Sequence, residues 1–281
     1  MNGGLTQLAV WLNALANALG RVLLAPIAFL PGWLSATMVA CVTGVLLLAM
    51  FKYTSNQRAV KRARDSIKAN LLALKLFKDS TSTVFKAQGG ILLGAGRLFL
   101  LSLVPMLVMA VPVILLMSQL GLWYQARPLG IGEETVLAVR MAGDAEAAWP
   151  NVSLEPNDAI EVKLGPVRVL SQRSVFWNIV GREPGPSQIV VRAGDVTAAK
   201  ELAIGDGIMR TSIQRPGWHW SEVVLHPSER PFDAESPVQS IEIDYPPRDS
   251  WTSGTNTWIV YWFIASMVAA FCFRPWLNVN I

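Results

Sequence analysis

The sequence predicts an α-helical membrane protein with three transmembrane helices and a cytoplasmic helical hairpin, carrying an inserted extracytoplasmic antiparallel β-sandwich-like domain. Three observations lead there. First, 52% of the 281 residues are hydrophobic and only 16% charged, with a mean hydropathy of +0.37, which is too apolar for an ordinary soluble domain of this length. Second, charge is segregated: ten Lys/Arg lie between Lys52 and Arg97 beside only two acids, Asp65 and Asp79, whereas the other eighteen acids fall between Glu133 and Asp249 with eleven Lys/Arg. Such opposite blocks fit opposite sides of a bilayer. Third, charge-free apolar runs separate these blocks, at lengths near the roughly 20 residues a bilayer core needs.

Residues 1–30 form the first element. Leu5, Leu8, Leu12, Leu15, Leu19 and Val22 recur every three or four positions, with Gln7, Asn13, Asn17 and Arg21 elsewhere on the wheel, the pattern of an amphipathic helix. A cleaved signal peptide is the competing reading, but it requires positive charge ahead of its apolar core, and the only early charge, Arg21, lies behind it. A retained interfacial helix is preferred.

Pro26, Pro31 and Gly32 then break the chain, and residues 33–51 carry no charge, so this is the first span. The second covers 98–123. The third, 257–273, is short and flanked by Trp251, Trp258 and Trp276 as interfacial anchors. Lys and Arg near span ends set orientation. By that rule residues 52–97 are cytoplasmic, the N-terminus and residues 128–252 are outside, and the tail 274–281 with Arg274 is inside, as in an integral protein of the bacterial inner membrane.

The outer region alternates β-branched and polar residues. "SQIVVRAGDVTAAKELAIGD" reads as two strands about the turn at Ala193-Gly194-Asp195, and "ETVLAVRMAG", "IEVKLGPVRVL" and "SEVVLH" read as further strands. About 125 residues suffice for an independent core, and short, regularly spaced strands suggest an antiparallel sandwich.

In the basic segment, Val60, Ala63, Ile67, Leu71, Leu74 and Phe77 form a helical stripe, with Lys61, Arg62, Arg64, Lys68, Lys75 and Lys78 on the other faces and Ser55 or Asn56 able to cap the start. Two readings stay open. The basic side rests on anionic lipid and merely fixes topology, each charge worth about 1 kcal/mol near the surface; or the stripe packs on a second helix returning from Thr81. In the second case the chain resembles the Oxa/YidC-type insertase superfamily, in particular its small three-helix prokaryotic relatives: outside N-terminus, amphipathic helix, span, basic cytoplasmic hairpin, two more spans. The stretch "KYTSNQ…IKANLLALKLFKD" also resembles a group of bacterial membrane proteins. The resemblance covers residues 5–123 and 256–281, and it implies a membrane-protein biogenesis factor whose hairpin meets the ribosome or nascent membrane proteins through Lys52, Arg58, Lys61, Arg62, Arg64, Lys68 and Arg97. The positive residue that the superfamily holds inside the membrane has its nearest counterparts in Lys52 and Arg97, at the rim.

Pro105 and Pro112 disturb the carbonyls of Leu101 and Val108. Read functionally, they bend the second span into a client groove lined by Met106, Met109 and Met117, with Gln119 as a polar contributor; read structurally, this is a packed, kinked helix. Gly90 and Gly94 make a small-xxx-small pair permitting close helix approach. His219, between Trp218 and Trp220, and His226 are the only histidines, and both cysteines, Cys41 and Cys272, lie in apolar runs. That composition gives no expected metal site, cofactor or disulfide framework, and no motif of nucleophilic or phosphate chemistry is seen, so no enzymatic activity is expected. The net positive charge is concentrated in the 52–97 loop, so DNA is not an expected partner; the lipid bilayer is. A structural or accessory subunit, docking on other membrane-complex subunits through its β domain, is the alternative function. A polar intramembrane groove would separate the two, and Thr37, Thr43, Ser102, Ser118, Gln119 and Ser266 are its candidate residues.

Overall fold

The computed structural model describes residues 2–77, 80–143, 149–277 and 279. Lys78 and Asp79 of the basic block, and Asp144 and Glu146 of the acidic one, lie outside the described residues. The order is α1 (Asn2–Leu23), α2 (Gly32–Thr54), α3 (Gln57–Leu76), α4 (Thr81–Tyr124), then β1 (Glu134–Met141), β2 (Val152–Leu154), β3 (Ile160–Val169), β4 (Ser174–Gly181), β5 (Gly185–Ala193), β6 (Val196–Ile204), β7 (Gln214–Arg215), α5 (Trp220–Leu225), β8 (Val238–Ile243) and α6 (Trp258–Leu277). Helices α2, α4 and α6 are long and apolar enough to cross a membrane. The chain divides into two compact units, Met1–Ala36 with Ile114–Tyr261 and Thr37–Val113 with Trp262–Ile281.

In the second unit the packing rests on small residues. Trp262 Nε1 donates to Thr43 Oγ1 at 2.9 Å, and Gly44 lies so close to the Ser266 backbone that a side chain there would collide with it. Close approach and interhelical hydrogen bonds of this kind are what hold apolar helices together where the surroundings are themselves apolar. Asn56 caps α3, its Oδ1 accepting from Ala59 N at 3.1 Å. As the glycine spacing predicts, α3 then packs on the start of α4: a Cβ on Gly90 would come within 2.6 Å of Asn70, and one on Gly94 within 2.6 Å of Ile67. Only the first part of the α3 stripe is covered, since Val60 and Ala63 are buried while Leu71 and Phe77 are exposed. The returning helix does not stop at a loop before the apolar run but continues as one 44-residue helix through Pro105 and Pro112. Similarly, α6 extends through Arg274 and Pro275, so the first residues of the expected tail are helical; Arg274 Nε reaches forward to the Val279 carbonyl at 3.2 Å.

The first unit holds a five-stranded sheet, β3-β4-β1-β8-β7, and a three-stranded sheet, β2-β5-β6, among the described residues, with all the strand pairings antiparallel. Period-two alternation directs Leu137, Val139 and Ile241 from the larger sheet and Ile189, Val191 and Ile204 from the smaller one into one apolar cluster. The β5–β6 hairpin closes as the sequence predicts, Ala193 opposite Val196, with Gly194 at φ +61° supplying the left-handed turn residue. Where β3 shifts register against β4, Gly165 has φ +127°, and an added Cβ would lie 2.7 Å from the Trp177 ring.

One expected strand is a helix. "SEVVLH" lies almost wholly within α5, where Glu222 occupies the first turn and Val223 is buried. Six residues are too few to separate a helical from an alternating period, and α1 docks on this segment.

Candidate functional site

A cavity open to a ligand lies within the first unit, between α1 and the segment that follows α5. The sequence presents α1 as an amphipathic helix, and the structure turns its polar ridge inward. Thr6 is fully buried and Asn13 is 5% exposed, whereas Leu8, Leu15, Leu19 and Val22 are exposed. Asn13 Nδ2 donates to the Val223 carbonyl of α5. Asn17 Nδ2 donates to the Pro227 carbonyl at 2.6 Å, and its Oδ1 accepts from Gln119 Nε2 at 2.9 Å and from Arg210 at 2.8 Å. One asparagine therefore joins α1, the end of α4, the segment before β7 and the segment after α5.

Beside this junction lies a cavity of about 570 Å³, walled on one side by Val10, Trp11, Asn13, Ala18 and Arg21 of α1 and on the other by Trp218, Pro227, Glu229, Arg230 and Asp233. Burial of Asn13 leaves its Oδ1 without a hydrogen-bond partner among the described residues. An unsatisfied buried acceptor costs about 1–3 kcal/mol.

The cavity floor is fixed by an ionic cluster around Lys200 of β6. Lys200 is 0% exposed. Its ammonium meets Glu229 Oε1 at 2.7 Å, Ser212 Oγ and the Glu201 carbonyl, each at 3.0 Å, and the Ser212 carbonyl. Glu229 also accepts from Ser212 Oγ at 2.6 Å and from Glu201 N at 3.0 Å, and Ser228 Oγ donates to Glu201 at 2.7 Å. Burial pushes the Lys200 ammonium below its ordinary value and the Glu229 carboxylate opposes that. A lysine beside a serine hydroxyl suggests nucleophilic chemistry, but here the ammonium is surrounded by acceptors and Ser212 is itself buried. The cluster is a structural pin for the 228–231 segment.

The structure separates the residues singled out in sequence. Pro105 is buried, Met106 exposed and Met109, Pro112 and Met117 half-buried, while Gln119 belongs to the Asn17 junction. Arg58, Lys61, Arg62, Arg64 and Lys68 follow one another along α3, Lys52 lies in the last turn of α2, and Arg97 lies within α4. His219 is exposed, its Nδ1 2.8 Å from Ser221 Oγ; His226 is half-buried, and burial pushes its imidazole below the ordinary value. Among the described residues no group of His, Cys, Asp and Glu is placed to hold a metal ion. Cys41 and Cys272 are free thiols.

Sequence reasoning missed Asn13, Asn17, Lys200 and Glu229. The signal for Lys200 was present: Ala198, Leu202 and Ile204 occupy the inward phase of β6, and Lys200 shares it. Compared with protein-family models, curated proteins and solved structures, the chain matches none.

Proposed function

We propose that the protein is a bilayer-anchored accessory subunit of a larger membrane complex. In this reading α2, α4 and α6 cross the bacterial inner membrane, the α3 hairpin is cytoplasmic, and the β unit, with its two sheets packed as a sandwich, docks on a partner outside. The observation that carries it is where the polar groups of the apolar helices go. Thr43 meets Trp262, Ser102 and Ser118 donate to the carbonyls of Leu98 and Ile114 in their own helix, Ser266 donates to Phe263, and Gln119 is held by Asn17. Groups bonded locally in this way do not converge on a wet groove, which a client-holding insertase needs and an anchor does not. A surface suited to docking supports this reading: among the described residues β3 lies at the edge of its sheet and exposes Val162, Leu164 and Val167, and an open strand edge is a template for added strands.

The biogenesis reading of Oxa-type layout draws support from α3, whose basic side accompanies exposed Leu71, Leu76 and Phe77. Affinity purification of the tagged protein from mild detergent distinguishes the two. The accessory reading expects one stoichiometric partner, lost in Leu164→Glu, and no ribosomes. Salt-sensitive ribosome co-sedimentation, abolished when Lys61, Arg62, Arg64 and Lys68 become Gln, would instead establish the biogenesis reading, because phosphate contacts weaken steeply with salt.

A further inference from the structure

The cavity beside α1 combines features that no structural role explains. Asn13 lines it and is buried, and its Oδ1 has no partner among the described residues; an acceptor in that state can take a donor that the chain does not supply. Two guanidinium groups, Arg21 and Arg230, and one carboxylate, Asp233, share the same walls. All three residues are exposed, whereas the remaining carboxylate, Glu229, is already engaged by Lys200 and Ser212. The indole rings of Trp11 and Trp218 complete the lining, and aromatic faces attract ammonium groups. The helix that forms one wall exposes Leu8, Leu15 and Leu19, so a molecule held there by its polar end can leave a hydrocarbon tail along the same apolar surface.

We propose that this cavity binds the headgroup of a zwitterionic, ethanolamine-type phospholipid. The ammonium donates to Asn13 Oδ1 and pairs with Asp233 between the indoles; the phosphate takes Arg21 and Arg230, for which guanidinium geometry is suited; the acyl chains follow the outer face of α1. A purely anionic headgroup without an ammonium satisfies the arginines but leaves Asp233 repelled and gives the indole faces no cation. At 570 Å³ the cavity falls within the roughly 300–1,000 Å³ usual for small-molecule sites. The assignment requires that α1 lie at a bilayer but does not depend on the accessory-subunit reading.

The test uses full-length protein reconstituted in bilayers of equal phosphatidylethanolamine and phosphatidylglycerol, extracted into mild detergent and weighed by native mass spectrometry. One ethanolamine lipid per chain is expected to remain, favoured over the glycerol lipid by about tenfold, the size of one charge-assisted hydrogen bond. Asp233→Ala should collapse that preference, and Arg21→Ala should lower retention of both lipids alike; both positions are exposed, so the melting temperature in lipid-free detergent should stay unchanged. Equal retention of the two lipids by the wild type, a preference that survives Asp233→Ala, or undiminished retention of both lipids in Arg21→Ala overturns the proposal. So does displacement of the bound lipid by micromolar glycerophosphoethanolamine, which would assign the site to a soluble headgroup.

Discussion

Asn17 and Gln119, 102 positions apart in sequence, are joined by a 2.9 Å hydrogen bond from the Gln119 amide to the Asn17 carbonyl oxygen. That bond ties an N-terminal helix to the last turns of α4, and Arg210 donates to the same oxygen. Asn17→Leu removes both and leaves Gln119 buried without its acceptor; the expected loss is about 3 kcal/mol. A double-mutant cycle with Gln119→Leu, followed by thermal unfolding in detergent, should return a coupling of about 1 kcal/mol. Strictly additive effects would mean that the bond does not operate in solution.

Removing one member of the Lys200–Glu229 pair should be far worse than removing both. Lys200→Ala leaves a carboxylate buried without its cation, at a cost of about 3–5 kcal/mol, while Lys200→Met with Glu229→Leu should recover much of it. Denaturant unfolding followed by tryptophan fluorescence reads the difference.

His226 gives the stability of the β unit a pH dependence. Its folded value is lowered, by burial first and by Lys200 last, with Glu222 opposing. Between the depressed folded value and the ordinary imidazole value of about 6.5 the unfolded chain binds more protons, so stability rises with pH through that window. His226→Gln should flatten the rise; melting curves at pH 5 and pH 8, wild type beside variant, provide the measurement.

Gly44 is the point of closest approach to Ser266. Gly44→Val should separate α2 from α6 and lower stability by about 1–3 kcal/mol, as overpacking does, and a cysteine pair placed across this contact should lose its crosslinking. Gly89, which has nothing near it, is the matched control.

Topology is read by labelling. With Cys41 and Cys272 removed, single cysteines at Ser66 and Ser187 should react with an impermeant maleimide from opposite sides, Ser187 from outside. Reaction of both from one side would overturn the three-span arrangement.

Much of this fold was legible because composition and period are strong signals over long stretches. Apolar runs near bilayer length mark α2, α4 and α6, and Ala193-Gly194-Asp195 marks its hairpin. What escaped depended on partners distant in sequence. The apolar stripe of α1 announces a helix, but nothing local says that Asn13 and Asn17 will be covered while Leu15 and Leu19 are not. Gln119 looked like a groove residue because it is polar in an apolar helix, and only the fold supplies Asn17 as its acceptor. The error at α5 has a different cause: two adjacent valines favour a strand locally, and tertiary packing against α1 overrides that preference.

The polar ridge of α1 also constrains the order of assembly. Its acceptors at Val223 and Pro227 each lie 210 residues further along the chain than the asparagines they receive. At a synthesis rate of about 5–20 residues per second, roughly 10–40 s pass between the emergence of the helix and that of its docking surface. During that interval α1 is an unfinished edge, and a nascent chain arrested before residue 220 should present it to protease, while one released at full length should not. Helix α1, made well before the segment it docks on, is among the last of these elements to find its place.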